Sequence, residues 1–244
     1  MVHTPHLLPE DAGKTEIRDL LFRGHTDVRD AFAEAFKDNI DACISALAKT
    51  YSAYRAFENK APKTKRTAQV QAFIYTALNS LVTSLYLLIS GMLTPAGHLM
   101  RQYAEATAMA LLCSSPALMT FARFEKEGKH YPVHDALRDV NKRKNRQILD
   151  IDAGGWKNFI EIANFYDQFS HASTLVVSAQ MMLDRPGMLV LLGDYDKEKS
   201  DIYTFELIRR RSAADALEQL IVALGERLPF DPNEPLYEDS GAES

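Results

Sequence analysis

The stretch Thr67–Ala122 decides the fold, and it reads TAQVQAFIYTALNSLVTSLYLLISGMLTPAGHLMRQYAEATAMALLCSSPALMTFA. Only two of its 56 residues are charged, Arg101 and Glu105. Exposed helices carry charge on one face, so a soluble protein keeps so long a stretch uncharged only by burying it. Gly91 and Thr94-Pro95 have the chemistry of a helix end and a helix start, which divides the stretch into two helices. We therefore expect these two helices to form the core.

The same stretch has to be compared with a transmembrane helix, because residues 67–93 carry no charge. Glutamine, asparagine, serine and threonine interrupt those residues repeatedly, and the most apolar part, Leu85–Ile89, is far too short to cross a bilayer. The sequence predicts a buried helix of a soluble protein with no membrane partner.

Composition narrows the classes of function. The chain has 244 residues, 46% of them hydrophobic, and a formal net charge of −5. That balance gives no overall attraction to nucleic acid or to an anionic membrane. The two cysteines, Cys43 and Cys113, lie in apolar helical contexts, which predicts free buried thiols rather than a disulfide. The first residues lack the pattern of a signal peptide, so we expect a cytoplasmic protein.

Helical periodicity organises the chain into one domain with two appendages. Residues 1–24 contain Pro5, Pro9 and Gly13, which predicts an extended N-terminal arm with one helical turn. Residues 25–228 are expected to form a single helical bundle, beginning with a long helix that Thr26 caps. Residues 229–244 are acidic and contain proline, so they are predicted to be an extended tail outside the core.

The second half of the domain carries three further predictions. A long helix is expected from about Trp156 to Leu183. A small β-hairpin is expected near residues 188–207, because Met188–Leu192 and Ile202–Leu207 are short and β-rich in composition. Ser212 and Asp215 resemble a capping box that opens the last helix. The fold class is therefore all-α, a multi-helix bundle with a possible minor hairpin.

Polar residues at helical spacing suggest a candidate site. His98, Arg101 and Glu105 share one face of the third predicted helix, and Asn164, Asp167 and His171 share one face of the Trp156 helix. If the two faces meet, they enclose a pocket in which His171 could act as a base with Glu105, while Arg101 binds an anion. The side chains that would bind the ligand are Asp167, Asn164, His98 and, from the preceding helix, Asn79.

Two structural explanations compete with this pocket. The polar face around Arg101 and Glu105 can be the solvated edge of an amphipathic helix, or a salt bridge at a subunit contact. A metal site is a more specific form of the pocket hypothesis. Asp167 and His171 are four positions apart, a spacing that can place two metal ligands on one face of a helix. The Glu-x-x-His pairing of di-metal bundles occurs only at Glu127–His130 and crosses Gly128. We therefore predict no metal and no cofactor.

Three basic clusters would have to support nucleic-acid binding: 60–66, 142–146 and 209–211. None has interleaved aromatic residues, and acidic residues predominate in the chain.

The segments Leu99–Glu105 (LMRQYAE) and Phe165–His171 (FYDQFSH) together resemble uncharacterised bacterial all-helical proteins, some of which are grouped with abortive-infection and HEPN-type domains. HEPN ribonucleases place an arginine shortly before a histidine on one helix, and the match here, Arg123 to His130, has Phe124 where a polar residue is usual. The resemblance implies a helical fold more than an activity.

No specific catalytic motif is present, neither a glycine-rich phosphate loop nor a nucleophile elbow. The sequence therefore favours a self-associating interaction or regulatory module, expected as a homo-oligomer or with a protein partner. The alternative is a ligand-binding or hydrolytic, possibly nuclease-like, pocket built on Arg101, Glu105, Asp167 and His171.

Overall fold

The computed structural model describes residues 10–22, 24–128, 132–151, 153–171 and 173–236. Those residues form an all-α fold, which confirms the predicted fold class. In chain order the helices are α1 Glu10–Phe22, α2 Thr26–Ala35, α3 Lys37–Lys60, α4 Lys65–Ile89, α5 Leu93–Ser114, α6 Thr120–Glu127, α7 Ala136–Asn141, α8 Arg143–Leu149, α9 Ala153–Asp167, α10 Thr174–Gln180 and α11 Ser200–Glu226.

The helices α4 and α5 form the centre, as the uncharged stretch predicts. Gly91, at φ 78°, turns the chain between them, a backbone angle that glycine adopts without strain. From Tyr103 to Ser114 every side chain except Glu105 is buried. The alanines of α5 let its neighbours approach closely, and the Ser84 hydroxyl of α4 donates a hydrogen bond of 2.7 Å to the Ala96 carbonyl. In the described part of the chain, α4 is the one helix long and apolar enough to span a membrane, and 44% of its most apolar window is buried within the bundle.

The last helix, α11, packs against α3 and α4 over most of its length. Polar side chains of its neighbours donate hydrogen bonds to its backbone carbonyls: Thr50 to Ala214 at 2.9 Å and Tyr103 to Ala213 at 3.0 Å. The helix α5 also packs against α7 and α9. A 3₁₀ turn at Gln168–Ser170 follows α9 and presses on α5 at Gly97, where an added Cβ would lie 2.5 Å from Cγ of Phe169.

Several predicted boundaries are wrong. The helix expected from Thr26 is broken at Phe36, whose backbone leaves the helical region, and its N-cap is His25 rather than Thr26. The helix expected to reach Leu183 ends at Asp167, and a separate short helix, α10, follows. Ser212 lies in the middle of α11 and opens no helix.

The predicted hairpin near residues 188–207 is not formed. Residues 202–207 belong to α11, where Tyr203, Leu207 and Arg210 are buried at helical spacing. Core packing decides the conformation of this β-rich segment against its local preference. Outside the helices, 188–192 contributes one isolated antiparallel bridge, between Met181 and Leu189.

The structure also differs from the predicted N-terminal arm and C-terminal tail, as far as it describes these two segments. Residues 10–22 form the helix α1 instead of an arm with one turn. The tail prediction is wrong up to residue 236, since Phe230 is buried near Phe57 and Glu234 lies 3.6 Å from the Arg66 guanidinium. Residues 1–9 and 237–244 lie outside the described residues.

Candidate functional site

The polar side chains that the sequence singles out separate into two groups. Arg101 lies at the centre of the first: its Nε donates a 2.9 Å hydrogen bond to Glu105, and its Nη2 lies 3.6 Å from the Asp167 carboxylate. Its Nη1 donates to the Ala163 carbonyl at 3.4 Å, so the guanidinium joins α5 to α9. The Arg101 and Glu105 side chains are 16% and 22% exposed. These three residues form a half-buried ion network.

The second group does not join that network. His171 is exposed just after the 3₁₀ turn, and its imidazole forms no hydrogen bond or ion pair within the described residues. His98, Asn164 and Asn79 are also exposed. Their side chains have no hydrogen-bond partner in the part of the chain that the structure describes. The hydrogen bond between His171 and Glu105 that the pocket requires is therefore not formed, and the catalytic role of His171 stays a prediction without geometric support.

A second charged network, which the sequence did not reveal, is fully buried. Glu206 and Arg210 are one turn apart on α11, and each side chain is 2% exposed. The Glu206 carboxylate accepts hydrogen bonds from Arg210 Nη1 at 2.5 Å and from the Tyr166 hydroxyl at 2.9 Å. Arg210 Nε donates to the Ser84 hydroxyl at 3.0 Å, so α4, α9 and α11 meet here. Burial raises the pKa of the Tyr166 phenol, which therefore stays a hydrogen-bond donor.

This network was hidden by two wrong expectations. The sequence predicts a β segment at 202–207, which contains Glu206, and a basic cluster at 209–211, which contains Arg210. A helix through this region would have placed Glu206 and Arg210 four positions apart in the favourable order, with the acid first. That spacing was the signal available in the sequence.

Beside this network lies an open groove with a volume of about 390 Å³ between α9, α10 and α11. Its walls are mainly apolar, and they include the side chains of Phe165, Phe169, Leu175, Ile202 and Phe205. Glu206 also lines the groove, and its Oε2 is already hydrogen-bonded to Arg210 and Tyr166. Ligand sites in proteins have this size range and this mixture of apolar walls with a few polar groups.

Among the residues that line the groove, Lys199 carries a positive charge, and its side chain is 5% exposed. Its Nζ donates a 3.0 Å hydrogen bond to the Ala179 carbonyl and lies 4.0 Å from Asp196 Oδ2. Burial lowers the pKa of the Lys199 ammonium, and the Asp196 carboxylate offsets part of that effect. A buried titratable group in a cleft is a candidate functional group.

Lys199 also lines a second cavity, of about 230 Å³, which lies toward the turn between α4 and α5. The segment 189–194 forms one wall of that cavity. Its position is fixed by close backbone packing, because a Cβ added to Gly193 would lie 2.4 Å from the Ser90 carbonyl oxygen. Lys199 therefore stands between two cavities.

Arg209 adds a second cation at the groove. Its guanidinium carbon lies 4.1 Å from the centre of the Phe165 ring and 3.9 Å from that of Phe205, and both rings line the groove. Its Nη1 is buried without a hydrogen-bond partner. Stacking on aromatic faces stabilises a guanidinium that has no carboxylate partner.

No cluster of three histidine, cysteine, aspartate or glutamate side chains suited to a metal ion occurs among the described residues. Comparison of the chain with protein-family models, with curated proteins and with solved structures finds no match. The resemblance to HEPN-type proteins therefore stays a prediction.

Proposed function

We propose that this protein is a helical ligand-binding module and that the groove between α9, α10 and α11 holds a small, largely apolar molecule. The observation that carries the proposal is the groove itself: about 390 Å³ with predominantly apolar walls. Phe205 and Ile202 leave large apolar areas open to solvent there, and a ligand would cover them. The ligand site that we propose therefore differs from the pocket predicted around Arg101, Glu105 and His171.

Filling the groove tests this proposal. Ser178 lines the groove from α10, and Ser178→Trp would occupy the space of a ligand. Val177, the preceding residue, is exposed and does not line the groove, so Val177→Trp is the matched control. We expect decanol or a neutral naphthylamine dye to bind the wild type and Val177→Trp alike, and to bind Ser178→Trp at least about tenfold more weakly. Equal binding to all three proteins, or no binding to the wild type, contradicts the proposal.

Self-association is a second candidate, and the segment Met188–Leu192 favours it. Met188, Leu189, Leu191 and Leu192 are all largely exposed. Met188, Leu189 and Leu191 also line a cavity of about 370 Å³ together with Leu20 and Val28. An exposed apolar surface of this kind can pair with the same surface of a second copy in an isologous contact.

Light scattering tests this second candidate. The wild type is expected to be dimeric or larger, and Leu191→Asp monomeric. Met119→Asp alters an equally exposed apolar residue outside this segment, and it should leave the oligomer intact. A monomeric wild type at high concentration excludes self-association.

The cellular location and other partners remain part of the proposal. Cys43 and Cys113 are free and buried, which is compatible with a reducing cytoplasm. Nucleic acid has little support, because Arg66 and Arg210, from two of the three basic clusters, are buried. Phosphate contacts need exposed basic side chains.

A further inference from the structure

The charged side chains around the groove differ in how many hydrogen-bond and ion-pair partners they have within the protein. Five charged side chains lie buried or half-buried around it: the cations Lys199, Arg209 and Arg210, and the carboxylates Asp196 and Glu206. A further carboxylate, Asp184, also acts on Lys199 and forms an ion pair with Arg185. Asp201, on the rim, is exposed, so water solvates its carboxylate.

Both buried carboxylates already have partners within the protein. Glu206 accepts hydrogen bonds from Arg210 and Tyr166, both on Oε2, and the Arg210 guanidinium balances its charge. Asp196 accepts from the backbone N–H groups of Leu183 at 2.6 Å and Glu198 at 3.0 Å, one on each oxygen. Neither acid is therefore without hydrogen-bond donors.

Lys199 and Arg209 have N–H donors that make no hydrogen bond within the described residues. An ammonium group has three N–H donors, and Lys199 makes one hydrogen bond, to Ala179. The Asp196 oxygen at 4.0 Å is beyond hydrogen-bond distance. Arg209 is stacked on Phe165 and Phe205 and has neither a hydrogen bond nor a carboxylate partner within the described residues. A buried donor without an acceptor is unfavourable, and an anionic ligand would supply the acceptor.

The cation and the apolar walls lie in line along α11. Lys199 immediately precedes α11, and Glu206 is seven positions further on, which corresponds to about 10 Å at the rise of an α-helix. Ile202 and Phe205 lie between them and line the same groove. A ligand lying along α11 would meet a positive group at one end and apolar side chains beyond it.

We propose that the ligand of this groove is a free amphiphilic carboxylate, whose head group accepts hydrogen bonds from Lys199 and whose apolar body lies against Ile202, Phe205 and Phe169. This inference rests on the proposed function, because it names the chemical class of the molecule that the groove holds. A charge-assisted hydrogen bond in a buried site is the interaction that separates a carboxylate from a neutral ligand of the same length.

The test compares three probes built on a ten-carbon chain: decanoate and decyltrimethylammonium, each below its micelle concentration, and decanol, below its solubility limit. Calorimetry on the wild type is expected to show decanoate binding at least about tenfold tighter than decanol, and the cation binding weakest. Lys199→Met should reduce decanoate binding to the level of decanol while leaving decanol binding unchanged. Lys197→Met removes a neighbouring exposed lysine and should keep the preference for decanoate.

The possible outcomes distinguish a failure of the carboxylate inference alone from a failure of the proposed binding function as well. If decanol binds as tightly as decanoate, or if Lys199→Met keeps the preference, the carboxylate inference is wrong and the binding function stands. If none of the three probes binds, both are wrong. Binding of decanol by Lys199→Met shows that this variant is folded. If the variant does not fold, the comparison of decanoate with decanol on the wild type still tests the carboxylate inference.

Discussion

Glu206 and Arg210 form an ion pair in the interior of the bundle, with both side chains 2% exposed. Tyr166 and Ser84 add hydrogen bonds to this pair from two other helices, and Arg210 Nη2 is buried without a hydrogen-bond partner. Two charges survive there because each has a close partner and further polar contacts. The pair therefore links α4, α9 and α11 beneath the groove.

Removing one member of this pair leaves a charge without its partner. We expect Arg210→Met and Glu206→Leu each to lower the free energy of unfolding by about 3–5 kcal/mol. The double variant should cost much less than the sum of the two, because it leaves no buried charge. Urea unfolding of the four proteins measures this, and additive costs would show that the pair is not coupled.

The half-buried pair Arg101–Glu105 is the matched comparison. Its arginine precedes its glutamate, which is the weaker helical order, and both side chains retain contact with water. Because Asp167 also contacts Arg101, we expect Arg101→Met to cost about 1 kcal/mol, between a surface pair and a buried one. A cost as large as that of Arg210→Met would mean that Arg101 contributes as much to stability as the fully buried arginine does.

Much of the fold could be predicted from local pattern. The scarcity of charge in 67–122 identified the α4–α5 core, because burial excludes unpaired charge whatever the tertiary arrangement. The break at Phe36 and the helical state of 202–207 could not be found in this way. Both depend on which side chains of other helices meet these segments, and Phe32, for example, packs on Tyr203 with ring centres 4.7 Å apart.

The candidate site was predicted less well than the fold. Spacing correctly placed Arg101 and Glu105 on one face, but it gave no information on where the helix carrying Asp167 would end. That helix stops at Asp167, so His171 does not continue the stripe. Lys199 lies in a charged segment that appeared to be an ordinary loop, and only its burial distinguishes it.

The pH dependence of stability should reveal the burial of Lys199. Burial holds its pKa in the folded protein below the ordinary value of 10.5. Between those two pKa values the unfolded chain binds a proton that the folded protein does not, so folding becomes more favourable as the pH rises through this range. We expect the unfolding free energy of the wild type, minus that of Lys199→Met, to increase with pH up to about 10.5. Taking the difference cancels the other titrating groups, and a flat or falling difference would show that Lys199 is not buried as a charged group.

The wall of the second cavity depends on Gly193. A Cβ there would lie 2.4 Å from the Ser90 oxygen and 2.7 Å from the carbonyl carbon of Gly91, and backbone atoms cannot move aside as a flexible side chain can. We expect Gly193→Ala to destabilise the protein by about 2 kcal/mol or more, by the mechanism of overpacking. Gly225→Ala is the control: its Cβ would meet Phe57 at 3.7 Å, an ordinary contact, so about 0.5 kcal/mol of stabilisation is expected. Thermal unfolding of both variants measures the contrast, and two similar effects would contradict the packing described at Gly193.

The segment after α11 is part of the core. Phe230 is buried, whereas Leu236, six residues later, is 66% exposed. Phe230→Ala is expected to cost about 3 kcal/mol in urea unfolding, and Leu236→Ala less than about 0.5 kcal/mol. A small effect at Phe230 would restore the original expectation of a tail outside the core.

The central claim is that the groove between α9, α10 and α11 is the ligand site, and NMR during a titration with decanoate tests it most directly. The account expects the largest amide shifts at Phe165, at Leu175–Ala179 and at Ile202–Phe205, with little change in α3. The largest shifts at Met188–Leu192, or at Arg101 and His171, would contradict the account and place the site elsewhere.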